Sequence, residues 1–182
     1  MVQTKELSMS LSYSKLKDAL LPRPGSGSQP QRQMFVLYGF GGIGKTQLAI
    51  TFARKYQKQF SAIFWLDGST KNQVLQNPAG VARRLSNEVP EARTFLPSGS
   101  GADIEIVVEG LLRWLSQAGN NSWLLIFDNV DRDSSAELKD QDQDAFDVTK
   151  YFPSADHGSI LITTRLSKFR EHGMRPKSHH LS

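Results

Sequence analysis

Eight residues, GFGGIGKT at positions 39–46, follow the apolar run MFVLY and precede QLAITFA, a helix-forming stretch. Glycine loses more backbone freedom on folding than any other residue, so four of them in eight positions suit neither a strand nor a helix. They mark a loop set between a buried strand and a helix start. Gly39, Gly44, Lys45 and Thr46 meet the spacing G-x-x-x-x-G-K-[ST]. The physical logic of that spacing is a polyphosphate, which needs many backbone N–H donors aimed at one point. Only small residues wrap closely enough, and the helix start adds its positive dipole end. Gly39, Gly41, Gly42, Ile43, Gly44 and Gln47 are the expected cradle. Lys45 is expected to reach the β- and γ-phosphates, and the Thr46 hydroxyl to ligate Mg2+.

The surrounding pattern predicts an α/β fold. Four short apolar runs, MFVLY (34–38), AIFWL (62–66), WLLIF (123–127) and SILI (159–162), do not alternate strictly with polar residues. Both faces of each strand should therefore be covered, as in a parallel sheet. Helices fit between the runs. One is expected from Lys45 to about Gln57, and Asn77-Pro78 reads as a cap and first-turn pair opening another through about Ser86. The strongest pattern is IEIVVEGLLRWLSQAG. Asp103 caps it, Ile104, Val107, Val108, Leu111, Leu112, Leu115 and Ala118 form an apolar stripe, and Gly119 ends it. At 182 residues the chain is about one domain's worth. The expected architecture is three layers, a mostly parallel sheet between helices.

Residues 1–33 read as an N-terminal helix, SYSKLKDALL at 12–21, followed by a Pro/Gly/Ser-rich linker. Residues 34–170 form the phosphate-binding core, and residues 171–182 a polar, basic tail.

Two further strand ends matter. Asp128 follows five apolar residues in WLLIFDNVD, where a carboxylate can hold magnesium beside the phosphate loop. Arg165 follows SILITT and emerges at the same rim, outside the carboxyl ends of the strands, where open parallel sheets bind ligands. It is the expected γ-phosphate sensor.

In order and spacing, GFGGIGKTQLAI, FWLDGST, WLLIFDNVD and GSILITTR resemble the NB-ARC class of P-loop NTPases. These are the signal-transduction (STAND) ATPases of plant and fungal NOD-like receptors and of apoptotic-protease activators. The resemblance covers about residues 34–170. It implies ATP or ADP with Mg2+ at Thr46 and Asp128, a switch between the two nucleotide states, and Arg165 as the first sensor. Such proteins usually carry a second acidic residue after the metal-binding aspartate; here that position is Asn129. An amide can orient a water but cannot take its proton. Asp131 is a candidate substitute base, although a solvated loop is the favoured reading of its surroundings. The family's later helical and winged-helix parts have no counterpart before Ser182. The expected function is therefore a nucleotide switch with slow or absent hydrolysis. An active ATPase and a truncated regulator or decoy, pairing with itself or a full-length relative, are the alternatives.

Other classes are disfavoured. The net charge is +4, with nine basic and two acidic residues in the first 60 and seven acids against two bases over 131–147. The basic arm lacks aromatic interleaving and any nucleic-acid motif, so nucleic acid is not the expected partner. DQDQDAFD (140–147) spaces acids like a calcium loop but has Ala145 where glycine is needed and Tyr151 where a glutamate is needed. His179 and His180 have no cysteine companion, since the chain contains none. No charged-then-apolar leader opens the chain, and WLLIF is too short to span a bilayer. A cytoplasmic location without a membrane partner is expected.

Overall fold

In the computed structural model, the strands send alternate side chains into two separate cores. Residues 13–21, 31–95, 103–132, 146–167 and 177–180 are described. β1 (Gln33–Tyr38) sends Val36 to one face and Phe35 and Leu37 to the other. β3 (Trp123–Asp128) does the same with Trp123, Leu125 and Phe127 against Leu124 and Ile126. β4 (Ser159–Thr164) divides Ile160 and Ile162 from Leu161. A period-two backbone with apolar residues at every position can only be a strand buried on both faces. This explains why the sequence shows continuous runs rather than alternation.

With β2 (Ala62–Asp67) and β5 (Lys177–His180), these strands form a five-stranded sheet in the order β2-β3-β4-β1-β5. Every pairing is parallel. Helix α1 (13–20) and α2 (Lys45–Tyr56) bring Leu16, Leu20, Leu48 and Phe52 to one face. On the other, α3 (Lys71–Glu88) and α4 (Ile104–Leu115) bring Val74, Ala82, Leu111 and Leu115. The three-layer α/β architecture with a parallel sheet is thus the one the apolar runs predict. Leu16 and Leu20 are fully buried, and the Ser159 hydroxyl donates to Leu20 O at 2.8 Å. The N-terminal helix therefore packs directly on the 34–170 core. Most of the linker (22–30) and of the acidic run (140–145) lies outside the described residues.

Local differences from the sequence reading have physical causes. Asn77-Pro78 does not open α3; it lies inside it. The helix starts seven residues earlier, where the Thr70 hydroxyl caps it by accepting from Gln73 N at 3.2 Å. Asn77 instead accepts the Asp67 N–H at 2.7 Å, tying the helix to the end of β2. An amide that can cap a helix can equally satisfy a neighbouring strand, and tertiary packing chose the second use. Asp103 does cap α4, accepting from Glu105 N at 3.0 Å, but the helix ends at Leu115, before Gly119. Ala118 is consequently exposed beyond the apolar stripe. Residues 177–180, read as part of a polar tail, pair with Phe35–Tyr38 of β1. KSHH has no apolar signature, so the edge of β1, rather than the residues themselves, specifies this strand. Among the described residues no helix is long and apolar enough to cross a membrane.

Candidate functional site

The strand order creates a switch point. From β1 the chain goes to β2 at the far edge, whereas from β4 it goes to β5 on the other side of β1. β1 and β4 are neighbours whose connections run in opposite directions across the sheet, and open α/β sheets bind ligands outside the carboxyl ends of the strands at such a point. The glycine loop leaves β1 at this point and Arg165 leaves β4. Gly39 N donates to Thr164 O at 3.2 Å, so the two exits are held side by side.

Gly44 occupies the N-cap position of α2 with φ 99°, and Gly42 has φ 76°. A side chain at Gly44 would meet no neighbouring atom, so the requirement for glycine there is purely backbone conformation. The first turn of α2 contains no acidic residue, leaving its N–H groups and dipole open to an anion. Lys45 folds back across the loop and donates to Gly39 O at 2.7 Å and Phe40 O at 2.9 Å. Two of its three N–H groups thereby fix the ammonium over the loop. Burial lowers the Lys45 pKa, with Arg165 adding to the shift and Asp131 and Asp128 opposing it. The same four charges thus sense one another at the rim. Ile43 packs against the α1–α2 core, and Gln47 is exposed in the first turn of α2.

Asp128, at the end of β3, accepts the Thr46 hydroxyl at 2.9 Å and 3.2 Å on its two oxygens. It also accepts the Thr163 hydroxyl, which in turn accepts Asn129 N at 2.9 Å. Thr46 and Asp128 form a hard-oxygen pair that fits magnesium, which commonly takes one or two protein oxygens and completes its shell with phosphates and water. Among the described residues no group of three or more acidic, histidine or cysteine side chains could hold a metal unaided. Asn129 is the one non-glycine residue with positive φ among those described, at 65°. Asparagine is among the residues that best tolerate this region. The turn sends the chain back toward β4, where Val130 N donates to Thr163 O at 2.9 Å.

Asp131 differs from its sequence reading. It is not in a solvated loop, because its side chain is only 15% exposed and pairs with Arg165. The Arg165 backbone N donates to Oδ1 at 2.6 Å, and Arg165 Nε donates to Oδ2. The far end of the guanidinium continues over the glycine loop: a Cβ at Gly41 would lie 3.8 Å from Arg165 Nη1.

Sequence reasoning missed several supporting residues. Thr163 and Thr164 were visible only as letters before Arg165, yet they tie β4 to Asp128, Asn129 and the Val130 carbonyl. Gly68 is required by close approach: a Cβ there would come within 2.5 Å of Val130 Cγ2, while its N–H donates to Asp128 O at 2.7 Å. Asp67, not among those missed because the sequence already offers it as an alternative base, lies opposite Asp128 in the β2–β3 register and accepts from Ser69 N at 2.9 Å.

The chain superimposes on Cdc6p of Pyrobaculum aerophilum with a TM-score of 0.57 over 93% of its residues, at 15% identity. The fold is that of a P-loop NTPase. The match spans 44% of the Cdc6p chain. No family model and no curated protein sequence matches this chain.

Proposed function

We propose that this P-loop NTPase fold binds ADP or ATP together with Mg2+, and that the nucleotide acts as a conformational switch in signalling. One observation carries the reading. Lys45 and Thr46 after β1, Asp128 after β3 and Arg165 after β4 converge at the switch point of the sheet, beside a loop of glycines. The open N–H groups of the loop and of α2 bind phosphate oxygens, and the remaining N–H of Lys45 adds a charge-assisted contact. Thr46 and Asp128 would hold Mg2+, which when bound offsets phosphate charge. The adenine preference and the switch role rest on the NB-ARC-like wording of the four motifs.

Holding a triphosphate needs no more than this; cleaving it also needs an activated water and stabilisation of transition-state charge. Asn129 can orient a water but not deprotonate it. Asp131, the other candidate base, has both carboxylate oxygens engaged by Arg165. Turnover is therefore expected below roughly 1 s⁻¹, the low end for ordinary enzymes. Calorimetric titration with ADP and ATP, with and without Mg2+, tests the reading. Binding of both, with ATP strengthened by Mg2+, is expected; a folded protein that binds neither would overturn it.

A further inference from the structure

We propose that Asp131 is the positioning residue for Arg165, and that through this pair the site distinguishes a nucleoside triphosphate from a diphosphate. The inference rests on the nucleotide-binding reading above.

The argument starts from how the carboxylate is fixed. Val130, immediately before it, is fully buried, and its N–H and C=O are both tied to β4, through Thr163 O and the Thr164 hydroxyl. Asp131 is thus anchored to the same strand end from which Arg165 departs. Its two oxygens then take different parts of Arg165: one accepts the backbone N–H, the other the side-chain Nε–H. A guanidinium has five N–H donors in a rigid plane, so gripping Nε fixes the plane and leaves the four terminal N–H groups available. Those terminal groups belong to the part of the side chain that lies over Gly41. The division of labour matches the exposures, 15% for the Asp131 side chain and 59% for that of Arg165. One end is held and the other is presented.

Without the carboxylate, an arginine this exposed would sample many rotamers, and a phosphate would have to order it on binding. An arginine held over the loop in advance avoids that loss. A γ-phosphate is the group a triphosphate has and a diphosphate lacks, and it is the group this arginine would meet, so the gain falls on the triphosphate. Asp131 also repels any phosphate through its charge, which acts in the opposite direction. The two effects separate cleanly, because the repulsion persists when Arg165 is gone and the positioning does not.

The test measures affinities for ADP and for a non-hydrolysable ATP analogue, with Mg2+, in the full chain and in Asp131→Ala, Arg165→Ala and the double variant. Asp131→Asn is the second choice should Asp131→Ala unfold. The expected result is a loss of about tenfold in triphosphate-over-diphosphate preference when Asp131 is replaced, the size of one long side chain's ordering entropy. In the Arg165→Ala background the same replacement should produce no such loss. An unchanged preference, an equal change in both backgrounds, or a gain in triphosphate preference would overturn the proposal; the gain would make Asp131 a latch that withholds Arg165. If the unaltered chain binds neither nucleotide, the nucleotide-binding reading itself fails and takes this one with it.

Discussion

At the scale of single residues, the site is a set of side chains whose roles follow from what already holds them. Lys45 is anchored by two loop carbonyls, so its ammonium is positioned before any ligand arrives. Replacing it with alanine removes a charge-assisted contact and should weaken nucleotide binding by about 2–3 kcal/mol. The fold should survive, because Lys45 supports only its own loop; titration of the variant, with circular dichroism as the control for folding, checks this. Asn129 is the residue most open to gain of function. Its φ of 65° is tolerated by aspartate as well as by asparagine, so Asn129→Asp keeps the turn and adds a proton acceptor. Phosphate release at saturating ATP should rise in that variant. A folded variant with unchanged turnover would mean that water activation is not what limits the chemistry.

At the scale of elements, caps and close approaches carry information that periodicity does not. α3 contains Pro78 in its interior, a position where the missing N–H weakens a helix. Its start therefore matters more than usual. The Thr70 hydroxyl supplies that start, and Asn77 binds the helix to β2. Thr70→Ala should destabilise the protein by about 1 kcal/mol, the typical value of a lost N-cap. A shift in the denaturation midpoint with an unchanged slope would show it. The start of α3 also lies just beyond the Asp67–Gly68 turn that packs against Asp128 and Val130. Loosening α3 is accordingly expected to reduce stability without abolishing the site.

At the scale of the whole molecule, the sheet separates two cores and aligns three strand ends. Leu161 is fully buried at the middle of β4, on the face covered by α1 and α2. Leu161→Ala should cost about 2–5 kcal/mol, the range for truncating a fully buried leucine, as read from chemical denaturation. β4 also carries Thr163, Thr164 and Arg165 at its end, so the loss should be accompanied by weaker nucleotide binding. In contrast, Phe40, 78% exposed on the glycine loop, contributes no core and should be replaceable by serine without loss of stability.

The sequence by itself determined the parallel sheet, the glycine loop and the identities of Lys45, Thr46, Asp128 and Arg165 as residues of one rim. Those features are local or periodic. Continuous apolar runs require strands covered on both faces, and four glycines before a lysine require a loop at a helix start. Tertiary structure alone decided the rest, because it depends on partners distant in the chain. Asp131 reads as a loop acid until β4 brings Arg165 to it, 34 residues later. Asn77 reads as a cap until β2 presents an N–H that needs an acceptor. KSHH reads as a tail until the open edge of β1 supplies hydrogen bonds that no pattern in those four residues encodes. Short-range preference fixes what a segment can do; which of its options is used depends on which buried donor or acceptor would otherwise go unpaired.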